Sequence, residues 1–353
     1  MSAANNASAD KATVHFDVED VADVQYVEVQ TPKTDAENGP GVFESMTVNA
    51  MLYTSVGITL MLPMQFGWSI SQLNLSTFHN EDDCNARPVK EGTCLMFPGH
   101  TAGDWTWVVN LWTLGGMLGS LTCGRFADWL GRKKAMAITA VIMIIGSAIQ
   151  AAAGSVGIFA LGRFVSGIAS GSATAIPNGY INEISPPHLR NKLGVSYQCS
   201  VGFGLVLVGS TFFFANTASG WRYIAGFPIV LASIFLLLSP FVMVESPTWL
   251  LAQGRREDAE SEIARLFGQD NVKLALTFME GTESTDSEAV AEEGRATDAD
   301  AAVASADSPM KALFSPEYRL QTIVALVLAF SQQLSGINAV FFYSSDMFNQ
   351  GRS

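Results

Sequence analysis

The stretch "GRFADWLGRKKAMAITAVIMIIGSAIQAAAG", residues 124–154, sets a tight basic turn directly before a long apolar run. No residue from Ala135 to Gly154 carries a charge, and about 20 predominantly apolar residues suffice to cross a hydrocarbon core. The turn itself holds Arg125, Arg132, Lys133 and Lys134, and bases crowded against a span mark its cytoplasmic flank. The solvent for this chain is therefore a bilayer.

Working outward, six further stretches are long and apolar enough to span: 47–72, 105–124, 158–180, 193–215, 221–244 and 319–345. The spans at 158–180 and 193–215 have Asn178, Asn182 and Gln198 in or beside them. A helix facing a wet cavity can bear such groups, whereas one facing lipid cannot. Composition agrees, with 48% hydrophobic and 15% charged residues over 353 positions. The net charge of −13 is local: residues 1–50 hold −7, residues 254–311 hold −8, and the remainder is +2.

Bases near the span ends give the orientation. Arg125, Arg132, Lys133, Lys134, Arg190, Lys192, Arg255, Arg256, Lys311 and Arg319 flank one side, and Arg87, Lys90, Arg163, Arg222 and Arg352 the other. This predicts a cytoplasmic N-terminus and residues 77–104 outside. The expected organisation is an acidic, disordered cytoplasmic segment over 1–46 and a six-helix transmembrane bundle over 47–244. A cytoplasmic loop over 245–318 and a seventh helix within 319–353 follow. Within the loop, Ala259, Ile263 and Leu266 recur at helical spacing and predict a short amphipathic helix over 254–268. Residues 281–309 are acidic, Ala/Ser-rich and without aromatics, the composition of a disordered insert. No basic region leads into a short apolar core at the N-terminus, so no cleavable signal peptide is expected.

Cys84 and Cys94 share one polar outer loop and can pair, while Cys123 and Cys199 sit in apolar segments and read as small packing residues. His15, His79, His100 and His188 lie in polar segments and read as solvated. No metal-ligand spacing, catalytic triad or phosphate-binding glycine loop is present. An enzyme, a metal and a cofactor are not expected.

The informative groups are uncharged amides at membrane depth: Gln198, Gln332, Gln333 and Asn338. Each is both donor and acceptor without the cost of a buried ion. Two readings fit them, a site for a neutral polyhydroxylated ligand and interhelical hydrogen bonds that hold a bundle together. Gly115 with Gly119, Gly116 with Ser120, and Gly167 with Gly171 follow the spacing that lets helix backbones approach closely.

Five motifs in order carry a resemblance: "GRFADWLGRKK" (124–134), "GRFVSGIASG" (162–171), "INEISPPHLRNKLG" (181–194), "VESPTWLLAQGR" (244–255) and "QQLSGINAVFFYS" (332–344). They resemble the sugar-porter family of the major facilitator superfamily, most closely its facilitative glucose transporters. Trp129, Val244 and Thr248 depart from the family pattern, and the Arg replaced at Thr248 weakens one expected cytoplasmic contact. The resemblance implies an all-α membrane protein of the major facilitator fold, here an N-terminal six-helix bundle plus the first helix of the C-terminal bundle. It implies alternating access about a mid-membrane site.

By motif, Gln198, Gln332, Gln333 and Asn338 match hexose-contacting positions. Asp128, Arg132, Glu183, Arg190 and Glu245 match residues that latch the cytoplasmic side in the outward-open state. Proton-coupled members have a carboxylate where "QFGWS" (65–69) places Ser69, which favours facilitated diffusion. The "QLS" at 333–335 resembles glucose-preferring members. The expected ligand is a hexose, glucose first, the expected surroundings a lipid bilayer of the plasma membrane, and no nucleic acid is involved. The alternatives are a proton-coupled sugar or inositol symporter and a non-transporting sugar sensor or assembly partner. The family needs about twelve helices, so the chain reads as a fragment of a full transporter, cut after the seventh.

Overall fold

In a computed structural model, residues 48–74, 84, 86–91, 94–213, 217, 219–277, 279 and 318–336 are described. The chain divides into residues 1–44 and 45–353, and every described residue belongs to the second unit. The expected disordered segments 1–46 and 281–309 lie outside the described residues.

The regular elements among the described residues are all helical: α1 (Ala50–Thr59), α2 (Met61–Ser71), α3 (Ala102–Leu130), α4 (Arg132–Ala152), α5 (Val156–Ile184), α6 (Pro187–Ser210), α7 (Gly220–Val242), α8 (Pro247–Ala252), α9 (Arg256–Phe267) and α10 (Arg319–Leu334), with short 3₁₀ turns at Thr211–Phe213 and Gln269–Asn271. Among them α4, α5, α6 and α7 are each long and apolar enough to cross a membrane, and Arg319–Gln332 is a shorter apolar helix. The other two expected spans take a different form for identifiable reasons. Pro63 has no N–H for the Thr59 carbonyl, so the first span breaks into α1 and α2. Leu60 nevertheless bonds back to Val56 and Met64 to Leu60, at 3.0 and 3.1 Å, and the path runs on across the break. Helix α3 dilutes its apolar residues with Thr, Gly and Asn, but its 29 residues extend about 43 Å, more than a hydrocarbon core requires.

In lipid, helices gain nothing from hiding apolar surface from one another, so small residues and close backbone packing hold them together. The seam between α3 and α5 is built this way. A Cβ at Gly115 would lie 2.2 Å from the Phe164 carbonyl oxygen, one at Gly119 2.1 Å from that of Ile168, and one at Gly171 2.0 Å from that of Gly116. Gly67 and Gly204 do the same between α2 and α6. The outward faces carry apolar residues instead, such as Leu121, Val206 and Leu237.

Prolines inside spans leave carbonyls that neighbouring helices take up. Pro228 frees the Ile224 carbonyl, which accepts from Trp68 Nε1 at 2.9 Å. Pro177 frees that of Ala173, which accepts from the Tyr197 hydroxyl at 3.4 Å. A buried amide chain adds to this: Gln72 Nε2 donates to Gln150 Oε1 at 2.7 Å, and Gln150 Nε2 donates to Ser166 Oγ at 2.9 Å.

The expected amphipathic helix is α9, with Ala259, Ile263, Leu266 and Phe267 buried. Its last turn docks on the start of α1, where the Asn49 backbone N–H donates to the Leu266 carbonyl at 2.8 Å and Asn49 Nδ2 to that of Arg265 at 3.1 Å. Three expectations need correction. Arg163 is no flanking base, because α5 begins seven residues earlier and buries it completely. Cys199 is exposed rather than packed, since it falls on the unpacked side of α6. His100 is buried, stacked on Trp105 with Nδ1 2.7 Å from the Phe97 carbonyl oxygen.

Candidate functional site

One end of the bundle gathers helix termini, and polar or charged side chains answer three of them. The first amides of a helix and the last carbonyls have no partner within it, and the helix dipole favours anions at the former and cations at the latter. At the start of α4 the Glu245 carboxylate accepts from the backbone N–H of Arg132 at 2.8 Å and of Lys133 at 3.1 Å. It also accepts from the N–H of Ser246 at 3.0 Å. Gly131 makes room for it: its φ is +92°, and a Cβ there would stand 2.6 Å from Glu245 Oε2. At the end of α3, Arg132 Nη1 donates to the Ala127 carbonyl at 3.1 Å and Trp249 Nε1 to that of Asp128 at 2.7 Å. At the end of α7, Lys133 Nζ donates to the carbonyls of Pro240 and Met243 at 3.2 and 2.8 Å.

Arg132 is the hub. Its Nε and Nη2 grip the Glu183 carboxylate from α5 at 2.8 to 3.1 Å, while Nη1 pairs with Asp128 at 2.9 Å. The Arg132–Glu183 pair is mostly buried, with 18% and 22% of the side chains exposed, whereas Asp128 is 71% exposed. Bidentate geometry of this kind fixes orientation as well as charge. Burial pushes the Glu245 carboxyl above its ordinary value, against the opposing pull of the three backbone amides. Two small cavities flank the cluster. One of about 280 Å³ lies beside Lys133, Glu245 and Trp249, and one of about 130 Å³ lies beside Asp128, Arg132, Tyr180 and Glu183.

Four of the five expected latch residues, Asp128, Arg132, Glu183 and Glu245, thus meet in one cluster. Arg190 sits half-buried in the first turn of α6. Trp129, which departs from the motif, is 76% exposed. At the opposite end Cys84 and Cys94 form a disulfide. His100 lies beside these sulfurs, but their bonding to each other removes them as metal ligands.

Of the expected ligand-contacting amides, Gln198 occupies the middle of α6 and is exposed, three residues from the exposed Val195 and three from the buried Val201, at the edge of the face buried by Val201, Gly204 and Val208. Gln332 is exposed on α10. The Gln333 side chain and Asn338 lie outside the described residues. Reading by motif passed over Gln65, Gln72 and Gln150, each at most 7% exposed. The signal was available, because all three are amides inside apolar stretches, as Gln198 is.

The family model described as "Sugar (and other) transporter" matches residues 55–351. The chain is 32% identical over 311 residues to the human solute carrier family 2, facilitated glucose transporter member 4, covering 85% of this chain and 58% of that protein. It is 30% identical to the Gallus gallus member 1, covering 86% and 60%. It is also 30% identical to a probable plastidic glucose transporter 2 of Arabidopsis thaliana, covering 90% and 61%. The chain therefore spans about three fifths of these relatives. Among solved structures, the xylose transporter XylE from E. coli in a partially occluded inward-open conformation shares the fold. The TM-score is 0.62 at 21% identity, over 83% of this chain and 66% of that one.

Proposed function

The chain belongs to the sugar transporter family, and on that premise we propose that the protein passes a hexose, glucose first, across a membrane by alternating-access facilitated diffusion. The observation that carries the reading is Gln198: an uncharged amide, exposed at the middle of a membrane-length helix, on the side that α2 and α5 leave uncovered. Each amide there offers a donor and an acceptor to a sugar hydroxyl, and Gln332 and Gln333 on α10 with Asn338 supply the same chemistry from the other half. The named activities of the relatives, glucose transport in three of them and xylose transport in the fourth, support a monosaccharide.

The charged end faces the cytoplasm in this reading, with the N-terminus on the same side, and the membrane is the plasma membrane. The cluster of Asp128, Arg132, Glu183 and Glu245 ties together the ends of α3, α4, α5 and α7 and, with Arg190 of α6, acts as the latch that holds the cytoplasmic side shut. Uncoupled transport is supported by Ser69, which stands where proton-coupled relatives carry a carboxylate. The protein works with a hexose and lipid, without cofactor or nucleic acid.

Radiolabelled glucose entry into vesicles carrying the complete protein tests this. Uptake should stop at equal concentrations inside and out, and an uncoupler should leave it unchanged. Accumulation that an uncoupler collapses would contradict it in favour of a proton-linked porter.

A further inference from the structure

Arg163 is fully buried in α5, at a depth where charge is expensive. Its Nη1 donates to the Ser69 carbonyl at 2.9 Å, one of the last carbonyls of α2, and its Cζ lies 5.1 Å from the centre of the Trp112 ring. Its Nε and Nη2 are buried and have no hydrogen-bond partner. These two nitrogens form one edge of the guanidinium, the edge whose parallel N–H groups fit a carboxylate bidentately. A halide can sit in the same fork.

The helices around Arg163 offer no counter-charge. Neither α1, α2, α4, α6 nor α7 carries an acidic residue. In α5 the acid is Glu183, twenty residues on and bound to Arg132. In α3, Asp104 is engaged in the capping box with Thr101, and Asp128 lies at the far end with Arg132. Helix α2 adds a further buried donor without a partner, Gln65 Nε2, one turn before Ser69 on the same face. The end of α2 supplies only partial negative charge, and a buried cation without a full counter-ion is strongly destabilising.

We propose that the Nε–Nη2 edge of Arg163 holds a small monovalent anion, a halide or a small monocarboxylate, as a resident counter-ion inside the helix bundle. The readout of this site is stability rather than transport. The complete protein is purified into lipid nanodiscs in sodium gluconate. Its unfolding midpoint is followed by tryptophan fluorescence as chloride or acetate replaces gluconate at constant ionic strength. A saturable rise of several degrees is expected, and a response to chloride or to acetate identifies the halide or the carboxylate as the occupant. Ser69→Asp places a tethered carboxylate beside the guanidinium, so this variant should match the anion-loaded wild type in gluconate and respond to neither salt. Arg163→Gln should also lose the response. Equal wild-type midpoints in all three salts, the result of an ordered water on this edge, would overturn the proposal. A response in Ser69→Asp as large as that of the wild type would overturn it too, by marking anion binding elsewhere.

Discussion

The backbone N–H of Arg132 donates to the Glu245 carboxylate at 2.8 Å, joining the first turn of α4 to the segment that follows α7, 113 residues later. Two further amides, those of Lys133 and Ser246, share the same carboxylate. Glu245→Ala strips all three of their acceptor at a helix N-terminus. It should cost about 2 kcal/mol, measured as a loss of unfolding free energy in detergent.

The same residue sets a pH dependence. Burial holds the folded Glu245 carboxyl above its ordinary 4.5, so the folded protein binds that proton more tightly than the unfolded chain does. The stability this linkage provides is whole below about pH 4.5 and is lost as pH rises through the raised folded value, after which it is flat. Glu245→Gln has no such proton. The midpoint of the wild type should therefore fall relative to this variant as pH rises from about 4 to about 7, read as the difference between two thermal scans.

Arg132 holds Glu183 with two nitrogens, and lysine cannot reproduce that fork. Arg132→Lys should lose about 1 to 3 kcal/mol of stability. A double-mutant cycle with Glu183→Gln should return a coupling of about 1 kcal/mol or more. Asp128→Asn should change stability little, because its carboxylate is 71% exposed.

The α3–α5 seam makes a controlled comparison possible. A Cβ at Gly119 would stand 2.1 Å from the Ile168 carbonyl oxygen, whereas one at Gly124, on the same helix, meets nothing within 4 Å. Gly119→Ala should destabilise by about 1 to 3 kcal/mol or more as the helices are forced apart. Gly124→Ala should be neutral or stabilise by up to about 1 kcal/mol. Thermal unfolding of the two variants side by side checks both.

Four of the seven spans and the amphipathic face of α9 were legible in the sequence, because hydropathy and helical spacing are local properties, whereas the charged cluster was reached only through the motifs that carry the family resemblance. Ala259, Ile263 and Leu266 show this: three residues at helical spacing announced a face that is buried. What stayed hidden depends on partners far along the chain. Arg163 counted as a base flanking a span end, and only the packing of α2, α3 and α5 reveals its burial. Gln72 and Gln150 bond to each other across 78 residues, a distance no local pattern spans. Glu245 was placed in the latch by motif, but its use as an acceptor for α4 follows from the turn at Gly131 and the end of α7 meeting in space. The break at Leu60 was within reach, since Pro63 forbids the hydrogen bond that would have closed it.

The central claim is that uncharged amides exposed on α6 and α10 grip a sugar. Gln198→Leu and Gln332→Leu, made in the complete protein at matched surface expression, test it most directly through initial rates of glucose uptake. Loss of hydrogen bonds to the sugar should lower uptake about 5- to 10-fold for each. Uptake equal to the wild type in both variants would contradict it.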